Sequence, residues 1–342
     1  MRPCTPRIAS AEDDSKATSL AAALVEHAPW CRTTPDALPI HIKPLVPGSS
    51  SARTAFVPIA IAVAVMVVWG ATPIATRLAL DDLPPLVVAC LRTVVAGLVA
   101  IPLLTAMRQR LPTSTRSRKL LGISAAVGFV IFPVVYTVGQ QRTSALHGVM
   151  ILAALPIFTG LYAALVARRA PRPGWLAGCA VALVGEVVLI GGRGASASDA
   201  TLGGDLLVLA AALCVSAGYV AGAMLPPRGL SSLATTLWGV VLGTVVLAPL
   251  AVALFVRDGV PQAGATAWGA VLFLAVVTSI LGYLGWYWAL DRGGIARIAT
   301  LQFLQPVSGF VLAALVLGDD VTVPIAVGSA LIVAGIVIAQ RA

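Results

Sequence analysis

Charged side chains inside long apolar runs are the residues of this sequence with the clearest capacity for chemistry. Arg92 and Glu186 each lie well inside such a run. A charge in hydrocarbon costs roughly 2.5–3.5 kcal/mol on insertion scales, so both are candidates for function. The planar guanidinium of Arg92 could bind an anionic group of a substrate, or it could bond to a neighbouring helix. Glu186 is a candidate for proton coupling, and the alternative is a protonated acid hydrogen-bonded between helices.

Uncharged polar and aromatic side chains in the same runs form a second set of candidates. A pocket for an amphipathic metabolite needs mostly apolar walls and a few oriented polar groups. For Trp286, Tyr287 and Trp288 the alternative is an aromatic belt at the membrane interface. The predicted substrate cavity comprises Trp69, Arg92, Tyr136, Gln140, Tyr219, Tyr283, Trp286, Gln302 and Gln305.

Metal, covalent and nucleotide chemistry lack the residues that they need. The sequence has five cysteines but no CxxC pair, and only three histidines. It contains neither an HExxH motif nor a GxxxxGK[ST] motif. His147, near the start of an apolar run, is better explained as a hydrogen-bonded polar residue than as a proton relay. We therefore expect no catalytic residue, no metal and no cofactor, and a membrane-embedded enzyme is disfavoured.

The composition places most of the chain in lipid. Of its 342 residues 58% are hydrophobic and 11% charged, whereas soluble domains carry about 25% charged residues. A soluble globule must cover itself with polar groups, and this chain has too few. The net charge of +9 lies in short gaps between apolar runs, which is typical of cytoplasmic loops. We expect a lipid bilayer and a small molecule as partners, and no nucleic acid.

Ten apolar runs are long enough to cross a bilayer, and in lipid they must be helices because backbone groups find no other partner. The sequence therefore predicts an all-α integral membrane protein with ten transmembrane helices. Residues 1–55 are predicted to be a disordered cytoplasmic tail, and the alternative is an over-extended start that is not part of the natural protein. The predicted spans are 57–79, 84–107, 119–141, 145–167, 174–192, 204–225, 232–255, 266–290, 295–317 and 322–340.

The charges of the loops predict the orientation. Five basic residues lie between Arg108 and Lys119, after the second span, and three more follow the fourth span. The gaps after the first and ninth spans carry acid pairs, at Asp81 and at Asp319. Because cytoplasmic loops are rich in Lys and Arg, both termini are expected inside. The predicted location is the plasma membrane, of the bacterial inner-membrane type.

Two halves of the chain match at a constant offset of 150 residues. Arg142 corresponds to Arg292, and Pro156 corresponds to Pro306. Five spans per half is an odd number, so the second copy must enter from the opposite side. The prediction is two inverted five-helix repeats, 57–192 and 204–340, an arrangement found in secondary transporters whose site lies between the repeats.

Two features of the repeats bear on motion and assembly. Pro156 and Pro306 are hinge candidates, because each removes a helical hydrogen bond at an equivalent position. Glycines seven residues apart allow close helix packing, either within the chain or in a homodimer. These glycines are Gly178, Gly185 and Gly192 in the first repeat and Gly328 and Gly335 in the second.

At this point the sequence resembles the EamA family of the drug/metabolite transporter superfamily. The motifs are VWGATP at 68–73, LPPL at 83–86 with Arg92, YWALDR at 287–292, and QPV at 305–307 with LGD at 317–319. The family usually has Glu where this chain has Gln305 and Asp319. The resemblance implies a secondary-active exporter of small metabolites such as amino acids, working by alternating access around a central cavity. The alternative is a non-transporting membrane scaffold or receptor.

Overall fold

Every regular element in the described part of the chain is a helix. The computed structural model describes residues 51–143, 151–191, 201–317 and 323–342. Residues 1–50 of the predicted tail, His147, Gly192 and Asp319 lie outside the described residues. The first helix begins at Ser51, inside the segment predicted as a tail.

The helices are numbered here in chain order. Two of them contain a π-helical segment, at Ala126–Ile131 in α4 and at Phe273–Gly282 in α9. A 3₁₀ segment, Thr300–Phe303, joins α10 to α11. The helices are α1 Ser51–Gly70, α2 Thr72–Leu80, α3 Pro85–Ala106, α4 Thr115–Arg142, α5 Leu155–Ala167, α6 Pro173–Gly191, α7 Leu202–Ala223, α8 Ser232–Asp258, α9 Ala265–Gly293, α10 Ile295–Ala299, α11 Leu304–Leu317 and α12 Val323–Arg341.

Six described segments are long and apolar enough to span a membrane, which agrees with six of the ten predicted spans. The fourth, fifth and tenth predicted spans coincide with shorter apolar helices, and the ninth is divided into α10, the 3₁₀ segment and α11. For these four, a membrane crossing stays a prediction. The six segments are Phe56–Leu80, Pro85–Ala106, Thr115–Arg142, Leu202–Arg228, Ser232–Asp258 and Ala265–Gly293.

Three prolines that were predicted inside spans lie at the start of a helical segment. Pro73 lies in the first turn of α2, after a turn at Ala71 that ends α1. Pro156 lies in the first turn of α5, and Pro306 in that of α11. Proline is tolerated there because the missing N–H would have no helical partner. The interruptions of regular α-helix therefore lie ahead of these prolines and not at them.

Helices α6 and α12 pack antiparallel through glycines. A Cβ atom on Gly185 would lie 2.7 Å from the backbone nitrogen of Ile332 and 2.8 Å from the carbonyl oxygen of Gly328. A Cβ atom on Gly178 would collide with the backbone of Ala339 and Gly335. The close approach predicted from the glycine spacing is therefore made inside this chain.

Helices α3 and α8 cross near the middle of the molecule. Gly97 lies against the side chain of Thr244, whose hydroxyl donates to the carbonyl of Thr93 at 3.0 Å. Around this crossing the core brings together α1, α4, α7 and α9, whose largest buried side chains include Trp286, Tyr136 and Phe129. These four helices carry most of the predicted cavity residues.

Candidate functional site

Four of the predicted cavity residues form one aromatic cluster, Trp69, Tyr219, Tyr283 and Trp286. The Trp69 ring stacks on Tyr219 at 5.6 Å between centroids, and lies 5.5 Å from both Tyr283 and Trp286. Tyr219 is in turn 5.7 Å from Tyr283 and from Trp286. All four rings are buried. Three helices that are distant in sequence, α1, α7 and α9, therefore meet at this cluster.

Arg92 is buried beside the aromatic cluster. Its side chain is on α3 and the residue is 4% exposed. Nε donates to the hydroxyl of Ser279 at 3.4 Å and Nη2 to that of Thr278 at 3.3 Å. Arg92 thus bonds to a neighbouring helix, as one of its two predicted roles requires. Because both partners are neutral hydroxyls, the geometry is also compatible with the other role, binding of an anionic substrate group. No carboxylate of the described residues pairs with it.

Tyr136, Gln140 and Gln302 are three further members of the predicted set. Tyr136 is buried, stacks on Phe132 at 5.1 Å and is close enough to Arg92 to interact with its charge. Gln302 accepts a hydrogen bond from Thr159 at 3.4 Å, and its amide nitrogen has no partner among the described residues. The Gln140 amide nitrogen and the Trp286 indole nitrogen are also buried, and neither has a partner in the part of the chain that the structure describes. These donors could serve a bound molecule or water, since buried polar groups are seldom left unpaired.

Gln305 has a structural partner. Its amide nitrogen donates to the carbonyl of Trp69 at 3.3 Å. In a continuous helix that carbonyl would accept from the residue four positions later, which is Pro73 and has no N–H. The α11 backbone also lies against Gly70, where a Cβ atom would be 2.8 Å from the nitrogen of Gly309. Gln305 therefore joins α11 to the break between α1 and α2.

The π-helical segments present groups to the site. Pro133 cannot donate to the carbonyl of Phe129, and the Thr93 hydroxyl donates to it at 3.0 Å. The Tyr283 hydroxyl donates to the carbonyl of Gly128 at 3.2 Å. In α9, the π segment supplies both hydroxyls that hold Arg92. Segments of this type often mark functional sites, and the two lie at positions that correspond under the 150-residue offset.

Sequence reasoning missed three hydroxyl groups near the site: Thr278 and Ser279 in the π segment of α9, and Ser124 in α4 just before its π segment. Thr278 and Ser279 hold Arg92, and the Trp69 indole nitrogen donates to the Thr278 carbonyl at 3.1 Å. Ser124 and Tyr287 hydrogen-bond at 2.7 Å. Single Thr and Ser residues are common in apolar runs, so they do not indicate a site. The one signal in the sequence was that Thr278 and Ser279 are consecutive within a predicted span.

Of the three residues with an aromatic belt at the membrane interface as the alternative interpretation, only Trp288 has the exposure that a belt requires. Trp286 and Tyr287 are fully buried, whereas Trp288 is half-buried near the end of α9. The Arg292 guanidinium lies 4.5 Å from the centre of the Trp288 ring. Arg77, near the end of α2, pairs with Asp81 at 3.6 Å and is largely exposed.

Glu186 lies apart from the aromatic cluster, on α6. The residue is 1% exposed, and neither carboxyl oxygen has a hydrogen-bond partner in the described part of the chain. The second interpretation of Glu186, an acid hydrogen-bonded between helices, therefore finds no partner here. Glu186 and Arg92 belong to different places in the fold.

Comparisons with known proteins decide the family. The EamA-like transporter family matches this chain twice, at residues 57–191 and 202–340. The chain belongs to this family. The transporter YdeK of Bacillus subtilis, itself uncharacterized, is 32% identical over 76% of this chain and 88% of its own length. A probable amino-acid metabolite efflux pump of Salmonella typhimurium is 29% identical over 81% of this chain and 93% of its own length.

A solved crystal structure shares the fold of this EamA-like protein. It superposes with a TM-score of 0.67 at 22% sequence identity, covering 83% of this chain and 98% of the other. The family and its relatives make this chain a multi-pass membrane transporter, some of whose relatives are named as probable efflux pumps.

Proposed function

We propose that this EamA-like protein exports a small metabolite with a carboxylate group, such as an amino acid, by alternating access around the aromatic cluster. The observation that carries the proposal is Arg92, a buried guanidinium held by two neutral hydroxyls. An unpaired buried charge is costly, and an anionic substrate group would compensate it. The guanidinium fork matches a carboxylate in shape.

The aromatic cluster suits the other end of an amino acid. An ammonium group over the face of Trp or Tyr is attracted by the negative face of the ring. Tyr283 and Tyr219 are close enough to Arg92 to interact with its charge. The rings of Trp69, Tyr219 and Tyr283 lie within 5.7 Å of one another. A carboxylate on Arg92 and an ammonium on these rings would orient one small zwitterion. The Salmonella typhimurium relative is named as a probable amino-acid metabolite efflux pump, which supports this substrate class.

Helix contacts support the inverted repeats that alternating access requires. Under the 150-residue offset α3 corresponds to α8 and α6 to α12, and both of these pairs pack together. The other contacts also occur in matched pairs, since α4 packs on α7 as α9 packs on α1. Thr93 and Gly243, which are 150 positions apart, are in direct contact: a Cβ atom on Gly243 would lie 3.1 Å from Thr93 Cγ2. A pseudo-two-fold axis at this point would relate the halves.

The moving parts in this proposal are the interrupted helices. The break ahead of Pro156 and the 3₁₀ segment ahead of Pro306 occupy corresponding places in the two halves. Because a helix interruption leaves fewer backbone hydrogen bonds to break, these points can bend at lower cost than a continuous helix. They would act as hinges that open the cluster to one side at a time.

The test is efflux from cells that express the chain and are preloaded with amino acids. We expect faster loss of at least one amino acid, and a decrease of roughly ten-fold or more with Arg92→Gln, because a charge-assisted pair is lost. Arg92→Lys should retain part of the rate. The exposed Arg169→Gln is the matched control and should keep the wild-type rate.

A second measurement separates binding from packing. If Arg92 binds the carboxylate, the wild type should export the amino acid in preference to the decarboxylated amine, and Arg92→Gln should lose that preference. If Arg92→Gln exports the amino acid at the wild-type rate and at equal expression, the proposed site is wrong. Flat efflux of every compound would favour a scaffold or receptor.

Glu186 is the proposed site of proton coupling. It is a carboxyl group buried on α6, and within the described ranges neither of its oxygens has a partner, so gain or loss of a proton there changes the cost of its burial. We expect Glu186→Gln to retain downhill export and to lose the response to an imposed proton gradient. Asp291→Asn, an exposed acid, is the control. An unchanged gradient response in Glu186→Gln would remove Glu186 from the mechanism.

A further inference from the structure

A basic pocket lies far from the aromatic cluster, where the loop between α3 and α4 meets the turn between α7 and α8. It is a cavity of about 400 Å³ whose lining includes Arg108, Arg110 and Arg228. Arg116 is close enough to Arg228 for the two guanidinium groups to repel each other. Three positive charges therefore line one small cavity, and a fourth lies near Arg228.

The basic pocket has no acid nearby in the sequence. Between Asp82 and Glu186 the chain contains no Asp or Glu, and there is none between Asp205 and Asp258. Within the described ranges, none of the four arginines makes an ion pair. Arg228 donates to the carbonyl of Met224 at 2.5 Å, which leaves its charge uncompensated. A cluster of cations without counter-charges attracts an anion.

Two helices begin at the basic pocket. Ser114 precedes α4 and accepts from the backbone of Ser117 at 3.1 Å, and Ser231 precedes α8 and accepts from that of Ala234 at 3.1 Å. Helix N-termini carry partial positive charge and free N–H groups, which favour phosphate. Both serines line the cavity together with the arginines. The donors and the charges thus converge on one volume.

An apolar cluster beside the basic pocket fixes the pocket's shape. Leu121, Leu225 and Leu230 are buried in an apolar cluster that joins the start of α4 to the turn after α7. This contact holds the two arginine-bearing segments at a constant separation. A preorganised set of donors binds an anion without first having to be ordered.

The repeat does not account for the arginines. The positions 150 residues from Arg108 and Arg228 are Asp258 and Leu78. Arg108 also adopts a φ of 51°, in the left-handed region that favours glycine at a helix end. Neither the scaffold nor the local backbone therefore requires a basic residue at these places.

We propose that the basic pocket binds a phosphate group, carried by the headgroup of an anionic lipid or supplied as free phosphate. Arginine forks and helix N-termini are the groups that bind phosphate oxygens. Met107 and Leu111 are exposed apolar residues at the same loop, so acyl chains have a surface beside the charges. Basic pockets between transmembrane helices on the cytoplasmic side are typical sites for anionic headgroups, and this loop is among those predicted to face the cytoplasm.

Binding by the purified full chain in detergent tests the proposal. The probes are short-chain phosphatidylglycerol, phosphatidylcholine of the same chain length, and inorganic phosphate. We expect phosphatidylglycerol to bind roughly ten-fold tighter than phosphatidylcholine, and R110Q/R228Q to lose at least roughly ten-fold of that affinity. R168Q/R169Q removes two exposed arginines from another loop and should bind as the wild type does.

The arms of the experiment separate the two sources of phosphate. Displacement of phosphatidylglycerol by millimolar inorganic phosphate from the wild type supports a site that also accepts free phosphate. Binding of the lipid with no effect of phosphate supports the headgroup alone. Equal affinity of the wild type and R110Q/R228Q for both phosphatidylglycerol and inorganic phosphate overturns the proposal. Because the arginines are exposed, we expect neither variant to be destabilised. Equal melting temperatures of the wild type and the two variants will verify that both variants fold.

Discussion

At the scale of single residues, the site depends on backbone carbonyls that prolines leave without a helical donor. Pro73 frees the carbonyl of Trp69, which accepts from Gln305, and Pro133 frees that of Phe129, which accepts from Thr93. A buried carbonyl without a partner costs about 1–3 kcal/mol. Side chains from other helices therefore fix the interrupted segments in place. Each break in one helix becomes a contact between two.

The Gln305 contact can be measured by a double-mutant cycle. We expect Gln305→Leu to lower stability by about 1–3 kcal/mol, because the Trp69 carbonyl loses its donor. In a Pro73→Ala background the residue at 73 regains an N–H, so the same change should cost less. Apparent melting temperatures of the four proteins in one detergent give the coupling. An equal loss in both backgrounds would disprove the link between Gln305 and Pro73.

At the scale of helices, two π-helical segments and one glycine interface organise the molecule. The π segments lie at corresponding places in α4 and α9, and each presents groups to the site. The glycine interface joins α6 to α12, away from the aromatic cluster. The first feature gives the site its donors, and the second fixes α6 against α12.

The glycine interface predicts a contrast between glycines. Gly178→Ala places a methyl group against the backbone of α12, which cannot move aside, and should cost about 1–3 kcal/mol. Gly122→Ala and Gly269→Ala are controls, since nothing lies within 4 Å of a Cβ atom at either position. They should be neutral or stabilising by up to about 1 kcal/mol, because alanine is the better helix former. Thermal unfolding would contradict the interface if Gly178→Ala behaved like the controls.

At the scale of the whole molecule, loops that the charge pattern assigns to one side are in contact. The α3–α4 loop meets the turn after α7 at the basic pocket, and Arg172 donates to the carbonyl of Ala342 at 2.7 Å. On the opposite side, the Gly264 N–H donates to Asp82 at 2.8 Å. Helix α8 runs between these two sets of loops over 27 residues, about 40 Å at 1.5 Å per residue.

Thiol labelling tests which set of loops is cytoplasmic. In a background without the five native cysteines, Val260→Cys should react with a membrane-impermeant maleimide in intact cells. Thr113→Cys should react only after permeabilisation, because the basic loops are expected inside. Both residues are exposed, so a missing reaction cannot be ascribed to burial. The reverse pattern would invert the orientation, and labelling of both in intact cells would contradict the alternation of the spans.

The sequence by itself determined the class of the molecule. Hydropathy predicts which segments enter lipid, because transfer of apolar surface depends on composition and not on contacts. The same reasoning found Arg92 and the members of the aromatic cluster, since charged and aromatic side chains in an apolar run are conspicuous. The 150-residue offset also predicted two inverted repeats, and that arrangement stays a prediction.

Only the tertiary structure decided which of these residues act together. Gln305 was predicted to line the cavity, which stays a prediction, and the structure adds that its amide nitrogen donates to the Trp69 carbonyl of α1. Glu186 shares the burial of Arg92 but lies on another helix pair. The π segments left no trace in the hydrophobic pattern, although one added residue turns a helix face by about 100°. Hydrogen-bond partners and helix faces depend on which segments meet in space. A pattern along one chain does not contain the distances between segments that are far apart in sequence.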